Sequence, residues 1–116
     1  MDCKHEGPYI RDLGEGARLR YEFCRMGKRI LQYTVQLETF IAEDPREWVP
    51  VIRYDNWHGS PHRHVFRKDG TSRQDLVDIE EDEMLGYSRA LKEAQADLGD
   101  YWELYCQRFK EGRWPV

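Results

Sequence analysis

Three of the four histidines of this 116-residue chain fall between Arg53 and Gly70, in the stretch RYDNWHGSPHRHVFRKDG. Imidazole titrates nearer to neutral pH than any other side chain and is a common metal ligand. His58, His62 and His64 therefore concentrate both proton-transfer and ligand capacity. Metal-free cleavage of RNA needs a base for the 2′-hydroxyl proton, an acid for the leaving oxygen and cations for the phosphate. His62 and His64 fill the first two roles, and Asp55, or Tyr54 in a shifted register, orients one ring. Arg53, Arg63, Arg67 and Lys68 supply positive charge, and Tyr54 or Trp57 offers a surface on which a base can stack. On a regular strand Arg63 points away from both histidines.

Two other readings use the same residues. Histidines at i and i+2 on a strand project together, and with Asp55 or His58 they make a facial ligand set with positions left for water or substrate. The neighbouring arginines make that site less attractive to a divalent cation than a carboxylate-rich one. The plainest reading is a structural polar cluster, with Asp55 bonded to turn backbone, the histidines packed on Trp57 and the arginines solvated.

Positioning these residues requires a hairpin. Trp48 to Trp57 is rich in Val, Ile, Tyr and Trp, His58 to Pro61 is a cluster of turn residues, and His62 to Lys68 resumes an extended pattern. With a four-residue loop, Trp57 faces His62, Asp55 faces His64 and Arg53 faces Phe66, so that His62, His64 and Asp55 share a face. A one-residue slip brings Tyr54 opposite His64 instead. An ionised Asp55 beside a ring should raise that histidine's pKa, so the pair would stabilise the fold at low pH and lose its effect as pH rises.

Upstream, Arg18 to Cys24 alternates polar and apolar residues, Met26 to Arg29 reads as a tight turn, and Leu31 to Ile41 alternates again. Glu43 to Arg46 breaks the pattern before Trp48. Met1 to Gly16 shows no sustained period and reads as an irregular arm, with at most a short strand at Tyr9 to Arg11. Its lone His5 is a solvent-exposed side chain rather than a ligand. Asp69-Gly70 marks a turn, and Thr71 to Val77 is either a short return strand or the approach to a helical half.

From Met84, apolar residues recur at Tyr87, Leu91, Ala94, Leu98, Tyr101, Tyr105 and Phe109, one face of a helix whose start is marked by the acidic Glu80 to Glu83. Gly99 interrupts it without a change of phase, which leaves either one helix or a helical pair. Unbroken from Glu80 to Lys110 it would run about 45 Å, longer than a domain of this size is wide, so part of it would need a second copy, a different protein, or its own second half folded back at Gly99 to cover it.

These elements predict a single α+β domain over 1–116: an irregular arm at 1–16, a four-stranded antiparallel β-meander at 17–77 and a C-terminal helix or helical pair at 78–112. Cys3, Cys24 and Cys106 are odd in number, widely spaced and without a CxxC pair, which argues against a disulfide framework or structural zinc and for a cytoplasmic location. No apolar run approaches the roughly 18 to 20 residues of a membrane span. The formal charge of −4 hides a basic stretch from Arg53 to Arg73 beside an acidic one from Asp75 to Glu83. Both read as solvated surface, or else as a phosphate-attracting site with an acidic flank.

The run Arg53-Tyr54-Asp55-Asn56, followed by Pro61-His62-Arg63-His64, resembles the signature of TumE-type toxin components of toxin-antitoxin systems. That family pairs a YDN element with a proline- and histidine-rich HxH element ahead of a helical tail. The resemblance covers Val51 to Val65 and implicates Tyr54, Asp55, Asn56, His62 and His64. It implies a small cytoplasmic protein with ribonuclease-like activity, no cofactor, an RNA substrate and an antitoxin partner. The shorter His58-Gly59-Ser60 loop and Arg63 depart from the pattern toward a neighbouring, uncharacterised YD/HG/HxH family. From another functional class, a non-catalytic module would bind a protein partner, or a second copy of itself, through the apolar face of the helical tail.

Overall fold

The structure, a computed structural model, describes residues 3–43 and 46–116. Six strands, β1 (Lys4–Gly14), β2 (Ala17–Met26), β3 (Arg29–Glu43), β4 (Arg46–Asp55), β5 (His62–Phe66) and β6 (Ser72–Leu76), precede one helix, α1 (Ser88–Lys110). The strands form one antiparallel sheet in sequence order. The α+β class and the meander are as the sequence predicts, but the sheet has six strands rather than four. Of the expected break at Glu43 to Arg46, Asp44 and Pro45 lie outside the described residues.

The two additional strands are the two edges. β1 replaces the predicted arm, and it is exposed or half-buried along its whole length. A strand wet on both sides shows no apolar alternation, so periodicity cannot find it. β6 resolves the choice left open for Thr71 to Val77 in favour of a strand, behind a turn in which Asp69 accepts from the backbone N–H of Thr71 at 2.9 Å. Pairing of β1 with β2 places His5 opposite Cys24, and Cys3 and Cys24 are joined by a disulfide with their Cα atoms 5.5 Å apart. The expectation of no disulfide is therefore corrected. It rested on sequence spacing, whereas the bond depends on a strand that spacing does not reveal.

Alternation sorts the central strands into two faces. Leu19, Tyr33, Val35, Leu37, Ile52 and Tyr54 belong to one core with Ala90, Leu91, Ala94, Leu98, Tyr105 and Phe109 of α1. At about 25 cal/mol per Å² of apolar area removed from water, this contact is the main stabilising term. The helix passes unbroken through Gly99, because the apolar face keeps its phase and Leu98 stays fully buried. Its 23 residues span about 35 Å, within the molecule's 43 Å long axis, and they cover the chain's own sheet. The expected length of about 45 Å from Glu80 to Lys110 is corrected accordingly, and with it the need for a partner that rested on that length.

The helix also starts later than Glu80 to Glu83 suggests, and its first turn holds no acidic residue. Asp82 instead closes a turn, its carboxylate accepting from the backbone N–H of Met84 at 2.9 Å and of Leu85 at 2.6 Å. The turn docks on the start of β3: Ile30 N–H donates to the Leu85 carbonyl and Tyr87 N–H to the Ile30 carbonyl. Between them Gly86 sits at φ 61°, and a Cβ there would collide with the Ile30 carbonyl oxygen. Gly86→Ala should combine left-handed strain with that backbone clash and cost roughly 3 kcal/mol. A urea midpoint that moves by an amount equivalent to less than about 1 kcal/mol would show that this junction does not need glycine.

Candidate functional site

The hairpin between β4 and β5 is displaced from the simplest register. Asp55 pairs with His62, Tyr54 with Arg63, Arg53 with His64 and Ile52 with Val65. Six residues, Asn56 to Pro61, form the connection rather than four. The cause is Asn56, which leaves the ladder and bonds β3 with its side chain. Its Oδ1 accepts from the Tyr33 backbone N–H and its Nδ2 donates to the Leu31 carbonyl, both at 2.9 Å. His58 at φ 73° and Gly59 at φ 103° then turn the chain. A two-residue displacement preserves the parity of a strand, so Asp55, His62 and His64 still share a face, as the sequence predicts.

That face is the one α1 leaves uncovered. Asp55, the last residue of β4, lies on it and is only 3% exposed. Its Oδ1 is 2.8 Å from His62 Nε2 and accepts from the Trp57 backbone N–H at 3.0 Å. Its Oδ2 lies 3.3 Å from Arg53 Nε and 3.5 Å from His64 Nε2. His62 is buried, with Nδ1 2.9 Å from the Ser60 carbonyl oxygen. The two imidazoles meet edge to face at 4.8 Å. His64 is partly exposed and stacks near Phe66, over whose ring Arg53 also lies at 5.5 Å.

Trp57 completes the border, half exposed, its indole N–H donating to Thr34 Oγ1 at 3.1 Å. Thr34 stands opposite Asp55 in the β3–β4 register. Sequence reading misses Thr34 and the Ser60 carbonyl. The first is visible only through strand pairing, and the second is a backbone group without a sequence signature.

The remaining candidates lie elsewhere. Tyr54 points to the helix side, where its hydroxyl donates to Asp97 Oδ2 at 2.6 Å, and Tyr105 donates to Oδ1 of the same carboxylate at 2.6 Å. Burial, with the bond to Asp97 second, pushes the Tyr54 hydroxyl up to about 12. Arg63, one position from each histidine, follows Tyr54 to that side and bonds Asp75 at 2.8 Å. Arg67 donates to the Gly112 carbonyl and lies over Trp114, and Lys68 reaches the Lys110 carbonyl at 3.4 Å, so the first holds the segment after α1 and the second the last residue of the helix. Asn56 is buried in its bridge to β3. Of the four predicted cations, the structure brings Arg53 to the histidines.

Arginine beside His64 reverses the expected electrostatics. Burial first and the Arg53 cation second push the His64 pKa down, with Asp55 opposing them. The predicted rise is corrected for this ring.

These features define an α+β domain in which a helix backs one face of an antiparallel meander and a buried carboxylate gathers two imidazoles on the other. The chain belongs to the family described as domain of unknown function DUF7718, whose model matches residues 1–114. No curated protein and no solved structure matches it.

A histidine whose pKa is lower folded than unfolded contributes its stabilisation above the unfolded value, near 6.5, and loses it as pH falls through the folded one. His64 ring protons should therefore titrate below 6.5 by NMR, and Arg53→Gln should move the midpoint upward. A wild-type midpoint at or above 6.5 would show that Asp55 outweighs burial and Arg53.

Proposed function

We propose that the chain is a small toxin-like protein whose open-face site cleaves the phosphodiester bond of RNA without a metal. The observation that supports this reading is the accessible His64 imidazole set beside Asp55, Arg53 and Trp57 on the uncovered face. A neutral imidazole at neutral pH can take the 2′-hydroxyl proton, and the depressed His64 pKa favours that form. Arg53 is the cation for the phosphate, and the half-exposed Trp57 ring is a platform for a base. The His62 side chain is only 4% exposed, so its role is to position, holding Asp55 against the Ser60 carbonyl. Protonation of the leaving oxygen falls to water.

This reading brings an RNA substrate and an antitoxin partner, and it places the chain in the cytoplasm. The Cys3–Cys24 disulfide is the observation that opposes this placement, because the cytoplasm keeps thiols reduced. Among the described residues no helix is long and apolar enough to cross a membrane. A non-catalytic module that docks through α1 has less support, because α1 spends its apolar face on its own sheet.

Expression of the wild-type chain should arrest growth, and the purified protein should cleave RNA in the presence of chelator. His64→Ala should slow cleavage by about 100-fold or more, the usual worth of a general base, and relieve the arrest while leaving the fold intact. Undiminished cleavage and arrest in that variant would remove His64 from the chemistry.

A further inference from the structure

His62 carries a hydrogen-bonding conflict that the proposed ribonuclease does not use. Its Nδ1 lies 2.9 Å from the Ser60 carbonyl oxygen, which can only accept, so the proton of a neutral ring belongs on Nδ1. Nε2 then presents a lone pair, and it faces a second acceptor, Asp55 Oδ1, at 2.8 Å. Two acceptors at this distance repel unless positive charge lies between them, as a further proton or as a metal ion. Both side chains are 4% exposed, so water screens little of that repulsion.

We propose that Asp55, His62 and His64 bind a divalent cation of the borderline class, Zn²⁺ or Co²⁺, through a carboxylate oxygen and the two Nε2 atoms. Among the described residues these three offer ligand atoms within 4.8 Å of one another. Metal–ligand bonds of about 2.0–2.2 Å put the donors of a tetrahedral ion about 3.4 Å apart; His62 Nε2 lies 2.8 Å from one Asp55 oxygen, Oδ1, and His64 Nε2 lies 3.5 Å from the other, Oδ2, so a small rotation of the carboxylate brings one oxygen to both rings. The remaining closure falls to His64, the more exposed and less tied ring.

The Ser60 carbonyl on Nδ1 is the outer contact that fixes the tautomer of a metal-binding histidine and aims its Nε2. Two imidazoles and one carboxylate favour Zn²⁺ or Co²⁺ over Mg²⁺ or Ca²⁺, which prefer oxygen ligands. The opposing feature is Arg53, 3.3 Å from Asp55 Oδ2. That distance is at the long end for a charged hydrogen bond, and Arg53 side-chain exposure of 35% leaves it free to move aside.

The inference stands apart from the ribonuclease reading, and the two share one ring. A metal on His64 would put positive charge on the imidazole that takes the substrate proton and occupy the Asp55 carboxylate beside it, so Zn²⁺ should inhibit any metal-free cleavage.

The test is a titration of tag-free, chelator-stripped protein with Co²⁺ at pH 7.5, followed by visible d–d absorption and by displacement with Zn²⁺. One equivalent should bind, and Zn²⁺ should shift the ring resonances of His62 and His64 while leaving those of His5, which lies 3.4 Å from Glu22, in place. His64→Ala should weaken binding at least tenfold with an unchanged urea midpoint, and His5→Ala should leave it unaltered. The NMR arm uses wild-type protein, so the test survives if a variant at buried His62 or Asp55 fails to fold. Absence of cobalt absorption in the folded wild type would overturn the proposal. So would affinity undiminished in His64→Ala, or zinc shifts confined to His5. Cobalt binding without RNA cleavage sinks the ribonuclease alone, and cleavage without cobalt binding sinks the metal site alone.

Discussion

The contact between the Asp55 carboxylate and the His62 ring is the interaction around which the candidate site is built. A carboxylate only 3% exposed has lost most of its hydration, and it survives there because nitrogen groups surround it. His62 and the Trp57 backbone N–H serve one oxygen, while Arg53 and His64 approach the other. Replacing such a buried polar cluster by apolar groups can be neutral for stability, whereas removing one partner leaves the carboxylate uncompensated. The cluster therefore counts for more as a geometric constraint than as a source of folding energy. It fixes the end of β4, the first residue of β5 and the loop between them.

A second carboxylate, Asp97, organises the opposite side of the sheet. It accepts from the Tyr54 hydroxyl, which ties β4 to α1, and from the Tyr105 hydroxyl of its own helix. Tyr54 and Asp55 are adjacent in the chain, and the pleat sends one under the helix and the other to the uncovered face. Structural hydroxyl and site carboxylate are thus separated by the sheet itself. Burial of Leu91, Ala94 and Leu98 against Val35, Leu37 and Ile52 decides which face is covered, and hence which polar residues are left for chemistry.

The connection from Asn56 to Pro61 links these layers. The Asn56 amide replaces two backbone hydrogen bonds that a continuing β4 would have given β3, so the strand can leave the sheet without orphaning Tyr33 N–H or the Leu31 carbonyl. This substitution lengthens the loop, brings Asp55 opposite His62 instead of His64, and turns the Ser60 carbonyl toward the imidazole. A tighter turn would have kept the same side chains on the same face with different neighbours.

Alternation in β2 and β3 and the spacing of Leu91, Ala94, Leu98, Tyr105 and Phe109 were legible in the sequence, because a half-buried element must repeat its apolar residues at its own period. The parity that groups Asp55 with His62 and His64 was legible for the same reason. β1 carried no such signal, since a strand wet on both sides has no apolar period, and with it went the Cys3–Cys24 bond. Register, the face covered by α1, the removal of Tyr54, Arg63, Arg67 and Lys68 from the histidines, and the effect of Arg53 on His64 were decided by tertiary structure. Each depends on distances between residues far apart in the chain, set by the Asn56 bridge and by helix packing, and local patterns of polarity do not encode such distances.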